Sequence, residues 1–167
     1  EANTGTEVNG VNEAAVTFSS FLPDEAATLA FGVTLSASLQ PGLFLAISGE
    51  LGSGKTTLAR GLVRGLGYEG KVKSPTYTLV EHYKLSRLNL YHFDFYRFKD
   101  AQELVEAGLR DHFDGRNVCV AEWPERALGL LPIADLSISL AQERNGRRIR
   151  VVALTESGKN CLAGIPN

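Results

Sequence analysis

Residues 49–56, GELGSGKT, constrain the fold of this chain more than any other segment. They match the pattern G-x-x-x-x-G-K-[ST], whose glycines let successive backbone N–H groups curl around phosphate oxygens. The apolar run 43–47 precedes the loop, and Leu58, Leu62 and Leu66 follow it at helical spacing. A strand, a glycine-rich loop and a helix in this order predict a P-loop, with the positive end of the helix facing the phosphates.

The residues of this loop predict a site for ATP and Mg²⁺. We expect Lys55 to reach the β- and γ-phosphates, and the Thr56 hydroxyl to join the magnesium shell. Thr57 is the next residue and is expected to assist at the α-phosphate. The loop residues predicted to bind the nucleotide are Glu50, Leu51, Gly52, Ser53, Gly54, Lys55, Thr56 and Thr57.

Acids at strand ends are expected beside the P-loop, because P-loop enzymes use an acid to hold the metal or to orient the attacking water. Asp94 follows the run 88–93, and Glu122 follows the apolar run 118–121. The carboxyl ends of parallel strands line the ligand crevice of open α/β sheets, so both acids are predicted site residues. With Lys55 they form the predicted catalytic set. The residues alone leave open which acid contacts the metal.

A switch segment is one interpretation of the residues between the P-loop helix and the Asp94 strand. In P-loop proteins this interval often senses the γ-phosphate. A turn that leads into a strand explains the same residues equally well, with proline setting the bend. The predicted switch-like residues are Ser74, Pro75, Thr76, Tyr77 and Thr78.

Two residues adjoin the strand-end acids. Trp123 directly follows Glu122, and its position slightly favours a role at the nucleotide or a partner over packing at a sheet edge. His92 alternates with Asp94 along one strand face and is expected to be packed and hydrogen-bonded rather than catalytic.

The alternation of strand-like and helical patterns predicts an α/β fold of the P-loop NTPase type. Its mainly parallel sheet is expected to be flanked by helices and to carry antiparallel additions. We predict a flexible N-terminal leader at 1–17, a P-loop ATPase domain at 18–155 and a tail with little pattern at 156–167.

Two stretches predict the antiparallel additions. The segments 74–83 and 88–95 are rich in β-forming residues, and a turn between them would make them antiparallel neighbours.

Asp100, with Glu103 three residues later, predicts the start of a short helix closed by Gly108.

The second antiparallel addition is a hairpin near the C-terminus. The dipeptide Asn145-Gly146 lies between the strand-like segments 136–140 and 149–154, and this dipeptide strongly favours a tight turn. The surrounding segment 144–150 contains four arginines. We expect these arginines to lie on a solvated hairpin rather than to form a nucleic-acid surface.

Composition limits the possible functions. The net charge of −2 argues against a general nucleic-acid surface, because such domains are usually strongly basic. No run approaches the ~18 apolar residues that a membrane span needs, and no signal peptide pattern is present. Cys119 and Cys161 lack metal-ligand spacing, and Cys119 is expected to be a buried, inert thiol. A cytoplasmic setting is the simplest expectation.

Four ordered motifs together resemble one family. They are GELGSGKTT at 49–57, KSPTYTLV at 73–80, YHFDFYR at 91–97 and EWPER at 122–126. In order and spacing they resemble the TsaE (YjeE) family, the bacterial P-loop ATPases needed to form threonylcarbamoyladenosine in tRNA. The resemblance runs from about residue 18 to residue 154. Phe95 stands where leucine is more familiar, which is a conservative apolar change.

The resemblance implies several properties. A cytoplasmic protein would act with TsaB and TsaD, of which TsaD carries the transfer chemistry, and would meet tRNA only through that complex. Its ATP hydrolysis would support turnover or reset of the complex. Thr56 and Glu122 would contact magnesium, Asp94 would be important for hydrolysis, and Trp123 would lie near the nucleotide. The segment 74–78 would act as the switch.

Two other functions remain open at this point. A P-loop small-molecule kinase usually adds an arginine-bearing lid, and the interval between the two acids offers only Arg97, Arg110 and Arg116 without an obvious lid. A nucleotide-dependent binding module would bind ATP in the same way with incidental hydrolysis. We expect an ATPase that is weak alone and stimulated by its partners.

Overall fold

The computed structural model describes residues 16–75, 77–100, 102–103 and 108–166. Within these residues the strands are β1 (Thr17–Leu22), β2 (Phe44–Ser48), β3 (Val80–Lys84), β4 (Asn89–Asp94), β5 (Val118–Glu122), β6 (Leu136–Glu143) and β7 (Gly146–Ala153). They form one seven-stranded sheet in the order β1-β7-β6-β2-β5-β4-β3.

Parallel strand pairs occupy the centre of this sheet. The strand β2 pairs in parallel with β5 and β6, and β5 pairs in parallel with β4. Antiparallel pairs lie toward the margins, where β1 pairs with β7, β7 with β6, and β3 with β4. The predicted α/β fold with antiparallel additions is therefore confirmed, including the hairpin around Asn145-Gly146.

The described α-helices are α1 (Glu25–Ser36), α2 (Lys55–Gly65) and α3 (Glu156–Ala163). None of them has the length and apolar character that crossing a bilayer requires. Asp24 caps α1, because its side chain accepts a hydrogen bond from the Ala27 backbone N–H at 2.8 Å. Helices α1 and α2 approach closely at Gly32 and Gly61, where an added Cβ would collide with the facing backbone. The first residues of both helices border one cleft.

Apolar side chains cover both faces of the sheet. On one face, Leu45 and Ile47 of β2 pack with Leu58 of α2 in a cluster that also includes residues of α1 and α3. On the other face, Phe44 and Phe93 belong to a smaller, aromatic-rich cluster beside two 3₁₀ turns, Leu109–His112 and Pro124–Ala127. A strand buried on both faces explains why β2 is a continuous apolar run.

The boundaries differ from prediction at two places. The strand β3 begins at Val80 rather than at Ser74, because the chain turns first, and the Leu79 N–H donates to the Pro75 carbonyl at 2.8 Å. In the helix expected after Asp100, residues 102 and 103 are helical and residues 104–107 lie outside the described residues.

The chain ends also refine the prediction. The expected leader falls largely on residues 1–15, which lie outside the described residues, and Thr17 already belongs to β1. The helix α3 was not predicted by the pattern of 156–167. Its N-cap Thr155 accepts a hydrogen bond from Gly158 at 3.0 Å, and Cys161 and Leu162 join the core. The domain boundary at residue 155 stays a prediction.

Both cysteines are buried and free. Burial raises the pKa of the Cys119 thiol to about 12 and that of Cys161 to about 11. Both thiols therefore stay protonated at neutral pH, and the buried position expected for Cys119 is confirmed.

Candidate functional site

The predicted phosphate-binding loop joins the end of β2 to the start of α2. Gly49, Gly52 and Gly54 take φ values of 153°, 76° and 107°, which a residue with a side chain rarely adopts. Gly54 is the N-cap of α2 and offers no side-chain hydrogen bond to the first turn of the helix. Unpaired N–H groups at this helix start are thus available to an anion.

Lys55 lies inside the loop and is 5% exposed. Its Nζ donates to the carbonyl oxygens of Gly49 at 2.5 Å and Glu50 at 2.8 Å. The same atom lies 4.4 Å from the centroid of the Trp123 ring. Burial lowers the pKa of Lys55, while the charges of Glu122 and Asp94 oppose that shift. A buried cation held by carbonyls can exchange them for phosphate oxygens, which carry full charge.

A second group of polar contacts centres on Glu122. The Thr56 hydroxyl donates to Glu122 Oε1 at 3.0 Å, and His92 Nε2 lies 2.6 Å from Glu122 Oε2. His92 is fully buried and Glu122 is 2% exposed, so the expectation of a packed, hydrogen-bonded histidine is confirmed. A threonine hydroxyl beside a carboxylate is the kind of oxygen pair that Mg²⁺ prefers. The residues present therefore fit the implied metal.

Asp94 is the strand-end neighbour of Glu122, and the two residues are paired in register across β4 and β5. Its Oδ1 accepts a hydrogen bond from the Tyr96 N–H at 2.9 Å. Its own N–H donates to the Leu79 carbonyl at 3.0 Å. Because Leu79 is in turn bonded to Pro75, the backbone links Asp94 to the predicted switch segment.

The predicted switch residues divide into those near the cleft and those away from it. Ser74 lines the cleft and Pro75 is buried. Tyr77 is 84% exposed and stacks under the Arg97 guanidinium at 4.6 Å. The Thr78 hydroxyl donates to Glu81 Oε1 at 3.2 Å. Thr76 lies outside the described residues, and of the other four residues only Ser74 lines the cleft.

These groups surround a cleft of about 430 Å³. The cleft residues that the sequence predicted are Leu51, Gly52, Gly54, Lys55, Thr56, Thr57, Ser74, Asp94, Glu122 and Trp123. Glu50 and Ser53 shape the loop without lining the cleft. We call the side formed by Asp94, Glu122 and Trp123 the strand-end wall.

Three lining residues were not predicted, namely Glu25, Tyr96 and Arg147. Arg147 corrects the expectation that the hairpin arginines are all solvated, because it enters the cleft beside Gly54. It also adds a cation to a site where the sequence had indicated only Lys55. We call the side formed by Glu25 and Arg147 the hairpin wall.

Two other arginines near the motif acids do not line the cleft. The Arg126 guanidinium lies 5.4 Å from the Tyr96 ring centroid and 5.7 Å from that of Trp123. Arg97 is held on Tyr77 in the same manner. Cation–π contacts therefore occupy both arginines at the rim.

Known proteins resemble this chain over most of its length. The family model "Threonylcarbamoyl adenosine biosynthesis protein TsaE" matches residues 22–149. A Haemophilus influenzae relative, tRNA threonylcarbamoyladenosine biosynthesis protein TsaE, is 40% identical over 152 residues, which are 88% of this chain and 96% of the relative. The Bacillus subtilis protein of the same name is 38% identical over 136 residues, covering 81% of this chain and 82% of its own.

The fold is shared with a solved structure as well. The crystal structure of YdiB from Bacillus subtilis matches with a TM-score of 0.76 at 27% identity, covering 90% of this chain and 95% of YdiB. The family model, the relatives and this shared fold agree with the four sequence motifs: the chain belongs to the TsaE family.

Proposed function

We propose that this chain binds ATP with Mg²⁺ in the cleft and hydrolyses it as a component of the tRNA N6-threonylcarbamoyladenosine machinery. The observation that carries the proposal is the hydrogen bond from Thr56 to Glu122, which joins the P-loop helix to a strand-end acid at 3.0 Å. This pairing brings together the two oxygen ligands that a P-loop protein offers to the metal of its nucleotide. The relatives' names supply the pathway.

The residues of the P-loop and of the strand-end wall have proposed parts. Loop N–H groups and Lys55 bind the β- and γ-phosphates, and Thr56 and Glu122 hold Mg²⁺. Asp94, tied to the Tyr96 backbone, orients the attacking water. Bound Mg²⁺ would neutralise charge on the phosphates. Trp123, whose ring contacts Lys55, covers the phosphates that Lys55 binds.

We also propose that hydrolysis is slow in the isolated chain and faster in a complex with TsaB and TsaD, in the cytoplasm. The rim arginines support this, since Arg97 and Arg126 rest on aromatic rings rather than in the cleft. Many P-loop proteins need an arginine at the γ-phosphate, worth about 10³–10⁵-fold in rate, and some obtain it from a partner. The segment 74–79, bonded to Asp94, is suited to report the γ-phosphate to such a partner.

The pathway assignment is tested by reconstituting tRNA modification with TsaB, TsaD, tRNA and a preformed activated threonylcarbamoyl donor, with and without this chain. We expect threonylcarbamoyladenosine to accumulate over several turnovers only when this chain and ATP are present. Lys55→Ala is the site control, and it should behave like omission of the chain. Equal modification without the chain would contradict the assignment.

The same mixture distinguishes an ATPase from a small-molecule kinase. An ATPase releases the γ-phosphate as inorganic phosphate, whereas a kinase transfers it to an acceptor. We expect the phosphate released to equal the ADP formed. A deficit of free phosphate relative to ADP would favour the kinase.

A further inference from the structure

The side chain of Arg147 reaches from the C-terminal hairpin to the start of the P-loop helix. Its Nη1 lies 2.6 Å, and its Cδ 3.4 Å, from the position that a Cβ on Gly54 would occupy. The Thr28 methyl of α1 lies 3.4 Å from the same position. Arg147 therefore fills the space that glycine at position 54 leaves open, between the first turns of α1 and α2.

Among the described residues, no ion pair joins this guanidinium to a carboxylate. Its Nε is buried without a hydrogen-bond partner. Arg148, the next residue, pairs with both carboxylate oxygens of Glu143, at 2.6 and 3.1 Å. Glu25 shares the cleft with Arg147 but lies 3.6 Å from Arg60.

The location makes an unpaired cation costly. The N-terminus of a helix carries partial positive charge, so a guanidinium beside Gly54 is repelled by α2. Lys55 adds a further positive charge in the same cleft. An anion between the loop N–H groups and the Arg147 guanidinium would remove this repulsion and accept charge-assisted hydrogen bonds from it.

Sheet order indicates which end of the nucleotide Arg147 meets. The acids lie on β5 and β4, on one side of the P-loop strand β2, whereas β7 lies on the other side beyond β6. If Mg²⁺ and the γ-phosphate lie at the strand-end wall, the α-phosphate end of the bound triphosphate extends toward the hairpin wall. Thr57, which also lines the cleft, is expected at the α-phosphate.

We propose that Arg147 is a nucleotide-binding residue that contacts the α-phosphate end of bound ATP and ADP. The proposal rests on the proposed function of the P-loop cleft. Because ATP and ADP share this end, Arg147 stabilises both complexes equally and contributes nothing specific to γ-phosphate cleavage. Uniform binding of this kind changes affinity and leaves kcat unchanged.

The test compares equilibrium binding of Mg·ADP, Mg·ATP and pyrophosphate by calorimetry in four proteins. They are the wild type, Arg147→Ala, Arg147→Lys and Arg150→Ala. Arg150 lies on the same strand, on the opposite face, and is exposed. The control thus removes the same charge away from the cleft. Thermal unfolding without ligand shows whether each variant folds, and Arg147→Lys retains the charge should the alanine variant fail to fold.

We expect Arg147→Ala to weaken ADP, ATP and pyrophosphate by about tenfold or more, by a similar factor for each, as for loss of a charge-assisted hydrogen bond. Arg147→Lys should show a smaller loss, because it keeps the charge but not the planar fork. At saturating ATP, kcat should match the wild type. Arg150→Ala should bind like the wild type.

Three results would overturn the inference. Unchanged ADP affinity in Arg147→Ala would mean that the side chain does not reach the ligand. Weakened ADP with unchanged pyrophosphate would mean that it contacts the nucleoside rather than the phosphates. A loss of kcat at saturation would make it a group acting on hydrolysis. Absence of ATP and ADP binding in the wild type would instead refute the proposed function itself, and the inference with it.

Discussion

The two walls of the cleft are built differently. On the strand-end wall, Glu122 already has Thr56 at 3.0 Å and His92 at 2.6 Å. On the hairpin wall, the Nε of Arg147 is buried without a partner. A carboxylate with two partners is oriented before a ligand arrives, whereas a guanidinium without an ion pair among the described residues gains its counter-charge from the ligand. The difference fits the proposed division of roles, in which the strand-end wall serves hydrolysis and the hairpin wall serves nucleotide binding.

Replacing Lys55 should have the largest effect on hydrolysis and on ATP binding. We expect Lys55→Ala to reduce hydrolysis on the order of 10²–10³-fold and to weaken ATP binding, because a positioned charge at the phosphates is lost. Lys84→Ala, at the exposed end of β3, is the matched control. Phosphate release and ATP titration measure both effects. If Lys55→Ala released phosphate and bound ATP like the wild type, the loop would not belong to the nucleotide site.

Changing the strand-end wall should separate turnover from binding. Glu122→Gln and Asp94→Asn keep the side-chain shape but remove the charge, and each should slow hydrolysis by roughly 10–100-fold. The loop N–H groups and Arg147 remain, so ADP should still bind. Glu69→Gln, an exposed acid beyond α2, is the control. An acid whose replacement leaves turnover intact is an ordinary strand-end residue, and loss of ADP binding would contradict the separation of the walls.

Removing His92, which contacts Glu122 from the protein interior, should have a smaller effect on hydrolysis. His92→Leu removes the 2.6 Å contact and leaves a buried carboxylate with one partner fewer, so hydrolysis should fall roughly tenfold. The free energy of unfolding should fall by ~1–3 kcal/mol. His82→Leu, on the exposed side of β3, is the control.

A Mg²⁺ titration distinguishes positioning from mere stability for His92. If the histidine orients the metal ligand, His92→Leu should need more Mg²⁺ for half-maximal hydrolysis. An unchanged Mg²⁺ requirement would reduce His92 to a packing residue.

The smallest expected signal is optical. Trp123 is the single tryptophan of the chain, and Lys55 Nζ lies 4.4 Å from its ring centroid. When Lys55 turns to bound phosphates, the environment of the ring changes, so Mg·ATP should alter the fluorescence intensity. Lys55→Ala should lack this response. An unchanged spectrum at saturating ATP in the wild type would assign Trp123 to packing.

The strand-end wall was predictable because its signals are local. Glu122 ends a continuous apolar run, and Asp94 ends a β-rich run, so parallel pairing alone brings them to one edge. The residue types left open which acid pairs with Thr56, and the family resemblance alone implied Glu122; the structure joins the two by a hydrogen bond of 3.0 Å.

The hairpin wall was not predictable for a physical reason. The segment 144–150 holds four arginines, and strand register together with the face of β7 decides that Arg147 alone of them lines the cleft. The position of Glu25 at the cleft depends on how α1 packs against α2. Strand register and helix packing depend on residues far apart in the sequence, so the local sequence pattern does not predict them. The helix α3 was missed because only a few of its residues are buried.

We propose a cleft that is complete for nucleotide binding and incomplete for rapid hydrolysis. Phosphate release by the isolated chain, compared with release in the presence of TsaB and TsaD together, tests it most directly. We predict slow turnover alone at saturating Mg·ATP and a clear acceleration when both partners are present, since a group at the γ-phosphate can raise the rate by about 10³–10⁵-fold. Rapid hydrolysis by the chain alone, unaltered by the partners, would show that the site is already complete and would contradict the claim.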